Sequence, residues 1–321
     1  MIELLIVLFA VLIDYKIGDP QCWPHPIIAI GHWIELLEKG LRKIHMANKF
    51  GGLILWLLSV AMVITVLTAV LETSKMLHPW LYNALVLYFL FASLAATSLK
   101  TEVMKVHKAL VENDLKEGRK YLSWLVGRDT ETLTEDEVIK GAIETTAENT
   151  IDGVLAPLFY ILVGMAIGYP VQTVFLYKTV NTLDSMVGYV QAPFKEIGFV
   201  SAKLDDLFNL IPARIGSFLM LLAGGILGFD LHGGRKIWRR DCRNHKSPNA
   251  GYPESAVAGL LNIQLGGTHT YFGQVLEKPT IGDPIRPVKK DDISNSCKIM
   301  YMSEFIFMMM GIALLYIWNG R

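Results

Sequence analysis

Uncharged runs alternate with charged ones along this chain. Residues 51–71 (GGLILWLLSVAMVITVLTAVL), 79–99 (PWLYNALVLYFLFASLAATSL) and 154–177 carry no charge. As helices, each is long enough to cross a hydrocarbon core of about 30 Å. Shorter apolar runs at 215–229 and 305–318 predict further segments, the second extendable through 299–303. Residues 4–13 are shorter still. They follow Glu3 and lack a basic start and a small-residue cleavage site, so they read as a half-span or interfacial helix rather than a removed signal. The pattern predicts an all-α fold, a polytopic integral membrane helical bundle with about five to six membrane segments, some partial or re-entrant. It reads as a single membrane domain over 1–321, with 100–150 and 230–298 as helical and loop regions facing the cytoplasm.

The distribution of Lys and Arg gives that orientation. Residues 14–50, 100–150 and 230–298 are rich in both, whereas the 72–78 connection carries only Lys75. The 172–213 stretch then falls nominally outside, yet it is polar in an unusual way. In YKTVNTLDSMVGY, Lys178, Asn181, Ser185 and Gly188 share one helical face with Asp184 at its edge, and in AKLDDLFNLIPAR, Asp205 and Asn209 are four apart. Ionisable groups at membrane depth are tolerated where they line a cavity, so a helical hairpin dipping into the membrane is expected here. Upstream, Thr134 followed by acidic residues marks a helix start.

Composition narrows the function classes. Hydrophobic residues make up 52% and charged residues 19%, with a formal net charge of zero. No nucleic-acid partner is indicated. Cys22, Cys242 and Cys297 are too scattered for a disulfide framework or zinc site. No phosphate-binding P-loop, dinucleotide fingerprint or nucleophile elbow is present.

The candidate chemistry sits in short polar constellations. Glu144, Glu148 and Asp152 are spaced by four, within about 80° of one another on a helix. Like charges so placed repel, and Asn149 lies among them. They read either as a solvated face at the membrane surface or as a Mg²⁺ or amine site, since hard cations take carboxylates together with substrate phosphates. Lys178 and Asp184 flank Asn181, an internal ion pair or a hold on a phosphate and its metal. Asp205 and Asp206 form a further acidic group. In RRDCRNHKSPNAGYPES, Arg243, His245, Lys246, Ser247 and Asn249 supply dense donors on a backbone shaped by Pro and Gly. A patch touching anionic lipid needs only charge; the particular residue types here favour a phosphate-binding loop. Asp14, Asp19 and His25 surround a Pro-rich turn and are weaker candidates. A lone His is more often structural, but this one is held between two prolines.

Taken together, DYKIGDP…WPHPIIAIG, ETTAENTIDGVLAPLFY, YKTVNTLDSMVGY, AKLDDLFNLIPARI and DCRNHKSPNAGYPESAVAGLL, in that order, resemble the adenosylcobinamide-phosphate synthase family of cobalamin biosynthesis, known as CbiB or CobD. The resemblance covers about residues 14–286. It implies a multi-pass enzyme of the cell membrane, its active site facing the cytoplasm. Such an enzyme joins adenosylcobyric acid, a corrinoid, to (R)-1-amino-2-propanol O-2-phosphate or a related amino-alcohol phosphate, with ATP and Mg²⁺. It also raises association with later membrane enzymes of cobalamin assembly. Glu144, Glu148 and Asp152 would then be catalytic, binding Mg²⁺ or deprotonating the amine. Asp184, Asp205 and Asp206 would hold metal, with Asn181 and Asn209 assisting. Lys178, Asn181, Arg214, Arg243, His245, Lys246, Ser247 and Asn249 would hold substrate and phosphate. Two other classes stand beside this reading: an intramembrane Mg²⁺-dependent prenyltransferase, which Asp-rich helices imitate, and a secondary transporter, which would be built from inverted repeats.

Overall fold

Polar caps set where the apolar runs begin. The structure, a computed structural model, describes residues 2–20, 23–189, 191–271 and 274–319, so Cys22 lies outside it. In chain order it comprises α1 (Ile2–Ile17), α2 (Pro26–Lys43), α3 (Lys49–Leu77), α4 (Pro79–Ser93), α5 (Ala96–Val111), α6 (Leu115–Ser123) and α7 (Glu135–Thr150). A π-helical turn, Ile151–Leu155, follows, then α8 (Ala156–Ile167), α9 (Pro170–Val187), α10 (Phe199–Phe208) and α11 (Leu210–Ile226). The chain ends with α12 (Leu231–Asp241), α13 (Gly251–Leu261), strands β1 (Leu265–Tyr271) and β2 (Gln274–Ile281), and α14 (Asp291–Asn319). His25, Asn48, His78, Asp114, Thr134 and Asp230 each accept a first-turn N–H at the start of a helix. They satisfy donors that the helix itself leaves orphaned. At Thr134 the cap is reciprocal, because Glu137 Oε2 accepts from Thr134 N at 2.7 Å.

Among the described residues, Lys49–Leu77, Pro79–Val111, Glu135–Ile167 and Asp291–Leu314 are long and apolar enough to cross a membrane, with a fifth span if Phe199–Phe208 and Leu210–Ile226 act as one. The protein is therefore a mostly helical polytopic membrane protein. Its spans number four or five, against the about five to six expected from the apolar runs. The 16 residues of α1 are short of a crossing.

One expected span is wrong in its boundaries. The run 154–177 is not continuous, because Gly168 adopts φ +82° and Pro170 opens α9. A left-handed residue ends a helix, and proline can start one but cannot donate inside it. The membrane segment instead begins earlier, so Glu144, Glu148 and Asp152 lie within the helical stretch Glu135–Ile167 and not ahead of it.

Contacts group the chain into two compact units. The first is Met1–Ala95 with Pro157–Asn209. Its core lies around α9, which packs on α2, α3, α4 and α10 and buries Phe175 and Tyr177 completely. The packing of α9 on α10 makes the helical hairpin expected from 172–213. Its connection is tied down by Arg42, which donates to Pro193 O at 3.1 Å and lies over the Phe194 ring, and by Lys49 over the Phe199 ring.

The second unit is Ala96–Ala156 with Leu210–Arg321. It contains both regions read as cytoplasm-facing, 100–150 and 230–298. Every residue of α13 is buried. Small residues allow this: a Cβ at Gly259 would lie 2.7 Å from Gly233 O and 2.8 Å from Gly234 Cα, so α12 and α13 touch backbone to backbone. The 230–298 region also contains an antiparallel hairpin, Leu265 opposite Ile281 and Tyr271 opposite Gln274, where loops and short helices were expected. Its register shifts between Gly266 and Thr268, and Gly266 and Gly267 both take positive φ there. The glycines that made this stretch read as loop form a bulge inside a strand.

Candidate functional site

In the second unit, α7 carries Glu144 and Glu148, and the π turn carries Asp152. The i→i+5 bond from Ala156 N to Ile151 O breaks the α-helical periodicity beyond Ile151. π turns recur at functional sites. Glu144 is compensated by the protein itself. Its Oε2 accepts from Arg128 Nη2 at 2.7 Å, and its Oε1 accepts from Gly266 N at 2.8 Å. Both partners are nearly dry, with side-chain exposures of 4% for Arg128 and 12% for Glu144. Glu144 thereby pins the segment before α7 to the β1 bulge. Glu148 is exposed and Asp152 half-buried. Thr145 and Asn149 brace this face: Thr145 Oγ1 donates to Leu125 O, and Asn149 Nδ2 donates to Thr145 O.

The basic loop between α12 and α13 is a braced turn. Ser247 Oγ accepts from Asn249 N at 3.2 Å and Ala250 N at 3.3 Å, and His245 Nδ1 accepts from Ser247 N at 3.0 Å. His245 and Ser247 thus shape the backbone. With Nδ1 an acceptor, the proton of neutral His245 sits on Nε2, which lies 3.9 Å from Glu254 Oε1. Asn249 is buried and accepts from Arg214 Nη1 at 3.2 Å. The Arg214 guanidinium lies 4.4 Å from the centre of the Tyr252 ring. Arg243 and Lys246 are exposed and make no ion pair among the described residues. They present two cations on a rigid turn, an arrangement suited to phosphate oxygens.

Behind this loop lies a network that the sequence reading missed. Asp241 is buried, accepting from Arg240 through two bonds of 2.7 and 2.8 Å and from Gly282 N at 2.8 Å. The Arg240 guanidinium, first of all, holds the Asp241 carboxyl below the usual carboxylate range. Arg240 also bridges to Asp283 at 2.8 Å. Glu254, on the fully buried α13, was also missed. The available signal was a single acid in an otherwise uncharged helix, GYPESAVAGLL.

In the first unit, Asp205 is the centre of a polar network. Its Oδ1 accepts from Asn181 Nδ2 at 3.3 Å and its Oδ2 from Asn209 Nδ2 at 3.1 Å. Tyr177 Oη donates to Asn209 Oδ1 at 3.0 Å. Tyr160 stacks on Tyr177 at 4.9 Å between ring centres and donates to Phe208 O at 2.8 Å. The two tyrosines were not anticipated, since aromatic residues in apolar runs read as core. Asp206 turns elsewhere and pairs with Lys203 at 3.1 Å, because adjacent helical residues diverge by about 100°. Lys178, Asn181 and Asp184 all lie on α9. Asp184 packs into the space left by Gly188, where a Cβ would lie 1.8 Å from Asp184 Oδ1. Asp14 is fully buried on α1, and His25 caps α2, its Nε2 3.4 Å from Asp19 Oδ1.

The candidates thus fall into separate sets: Glu144, Glu148, Asp152, Arg214 and the 243–249 loop in the second unit, and Lys178, Asn181, Asp184, Asp205, Asp206, Asp14, Asp19 and His25 in the first. Among the described residues, no group of three or more His, Cys, Asp or Glu is arranged to hold a metal ion. A cage made wholly by the protein does not fit.

Comparison with known proteins gives a consistent result. The family model described as CobD/Cbib protein matches residues 7–300. Proteins named Cobalamin biosynthesis protein CobD are 46% identical in Listeria monocytogenes, covering 93% of this chain and 94% of the relative, and 45% identical in Geobacter metallireducens, covering 95% of each. A Cobalamin biosynthesis protein CbiB of Salmonella paratyphi B is 40% identical over 94% of each chain. No solved structure matches.

Proposed function

The chain belongs to the CobD/CbiB family and has a role in cobalamin biosynthesis, and from that premise we propose that it is an adenosylcobinamide-phosphate synthase. It condenses adenosylcobyric acid with (R)-1-amino-2-propanol O-2-phosphate, or a related amino-alcohol phosphate such as ethanolamine phosphate, in an ATP- and Mg²⁺-dependent amide ligation. The observation that carries this reading is the family match over residues 7–300, a range that includes every candidate residue.

A carboxylate oxygen is a poor leaving group, so amide formation requires activation. The corrin side-chain carboxylate attacks the terminal phosphorus of ATP and ADP leaves. The amine then attacks the acyl carbon and phosphate departs, while the ammonium proton passes to a general base. Mg²⁺, when bound, offsets the negative charge of the polyphosphate. Asp205, held by two amide donors, would supply it a carboxylate in the first unit, whereas Asp206 is turned to Lys203. Glu148, which is exposed, and Asp152, which is half-buried, would receive the proton. Arg243 and Lys246 would hold a phosphate, with His245, Ser247, Asn249 and Arg214 keeping the loop and its cations in place. In this reading the site works at the cytoplasmic face of the cell membrane, where the corrinoid product passes to the later enzymes of cobalamin assembly.

The test supplies detergent-purified protein with adenosylcobyric acid, aminopropanol phosphate, ATP and Mg²⁺ and seeks the condensed corrinoid by mass spectrometry, omitting each component in turn. The expected result is product that needs all four. Product with ethanolamine phosphate alone would change the substrate and keep the chemistry. No product with either amine, from protein shown to be folded, would overturn the reading.

A further inference from the structure

α13 contains one charged residue, Glu254, and the proposed chemistry does not use it. Glu254 is 5% exposed, in a helix whose every residue is buried. Burying a carboxylate is unfavourable unless donors or an opposite charge compensate it, so an acid in GYPESAVAGLL calls for a reason. Glu254 sits in the first turn of α13, where the helix dipole favours negative charge. His245 lies opposite. Its Nε2 is 3.9 Å from Glu254 Oε1, and the two side chains are 12% and 6% exposed. That separation is beyond hydrogen-bond length, but a charge acts strongly over it where water is excluded.

The imidazole is engaged at both nitrogens. Nδ1 accepts from Ser247 N at 3.0 Å, so in the neutral ring the proton is on Nε2, the atom that faces Glu254. Both contacts require the same tautomer. A carboxylate opposite Nε2 favours the proton there, which leaves the Nδ1 lone pair for Ser247. The other tautomer would set an N–H against the N–H of Ser247. With its nitrogens so engaged, His245 has no place for the proton of a substrate amine, and it does not serve as the general base. What the ring holds is the turn. Ser247 Oγ accepts from Asn249 N and Ala250 N, and Ala250 leads into α13. The packing is close here: a Cβ added to Gly251 would lie 2.6 Å from Cys242 O and 3.1 Å from His245 Cβ. Glu254, His245, Ser247 and the start of α13 thus form a closed circuit, and Arg243 and Lys246 lie within it on either side of His245.

We propose that Glu254 is a positioning residue for the reaction: its charge fixes the tautomer and orientation of His245 and, through Ser247, the turn that aims Arg243 and Lys246 at a substrate phosphate. The proposal rests on the reading of 243–249 as a phosphate loop. Glu254 acts through His245 and not on the substrate, so its loss is felt in phosphate affinity and not in the chemical step.

The test measures dissociation constants of ATP and of aminopropanol phosphate for the full-length, detergent-purified protein by equilibrium dialysis, together with KM and kcat for each. Glu254→Gln keeps the shape and removes the charge. It is expected to weaken one of the two phosphorylated ligands about tenfold, in Kd and KM alike, with kcat near wild type. His245→Asn offers an amide oxygen to Ser247 N and presents nothing to Glu254; it is expected to weaken the same ligand. In the His245→Asn background, Glu254→Gln is expected to have no further effect, because the path between them is gone. Wild-type affinity in folded Glu254→Gln would overturn the proposal. So would a loss confined to kcat, or two effects that multiply in the double variant. If Glu254→Gln does not fold, His245→Asn alone decides, and wild-type affinity there overturns the proposal. Wild type that binds neither ligand would overturn the phosphate loop and this proposal with it. Wild type that binds both but makes no amide would overturn the proposed function, and the dissociation constants would still decide the role of Glu254.

Discussion

Glu144 shows how a carboxylate's meaning depends on what lies opposite it. Its partners Arg128 and Gly266 come from a loop 16 residues before it and a strand 122 residues after it. Removing one partner of a dry ion pair strands the other. Glu144→Gln is therefore expected to destabilise the protein by about 3 kcal/mol, and Arg128→Met combined with Glu144→Gln to recover much of it. Thermal unfolding in detergent checks both. Asp241 makes a pH-dependent contribution. Its folded pKa is depressed, so its stabilisation is present above the unfolded value of about 3.9 and is lost as pH falls through the lower, folded value. Asp241→Asn is expected to lose about 1–3 kcal/mol at pH 7. The gap to wild type should narrow below about pH 4, measured by denaturation across pH.

At the scale of elements, departures from ideal helices do the positioning. The π turn at Ile151–Leu155 joins α7 to α8 and carries Asp152, and Gly168 with Pro170 separates α8 from α9. The crossing of α12 and α13 depends on the absence of side chains at Gly233, Gly234 and Gly259, and α13 continues back into the 243–249 loop. Gly259→Leu is expected to destabilise by about 1–3 kcal/mol through overpacking. It should also depress product formation by shifting the loop that presents Arg243 and Lys246. A cysteine-free check at Gly267, whose added Cβ meets nothing within 4 Å, separates packing from backbone strain: Gly267→Ala should show only the φ penalty, about 1 kcal/mol.

For the whole molecule, the spans and the Lys and Arg distribution make one topological statement. Only His78 separates Lys49–Leu77 from Pro79–Val111, so the end of α3 that carries Lys75 and the α5–α6 connection are expected on opposite sides of the membrane. With the native cysteines replaced by serine, Lys75→Cys is expected to react with an impermeant maleimide from outside intact cells. Lys116→Cys is expected to react only after the membrane is opened. Reversal of that pattern would invert the orientation given by the positive-inside rule.

The sequence by itself determined the membrane-spanning helical class, the family, the start of α7 at Thr134 and the position of α3. Those depend on local properties, namely apolar length, a cap or a run of motif residues, which contiguous sequence contains in full. The tertiary structure alone decided that Glu144 faces Arg128, that Asp205 and not Asp206 joins Asn181, Asn209 and Tyr177, that Asp241 and Glu254 are buried, and that 265–281 pairs as strands. Each of these depends on which distant groups arrive at the same place. The free energy of a carboxylate is set by the donors around it and its distance from water, and a one-dimensional pattern contains neither.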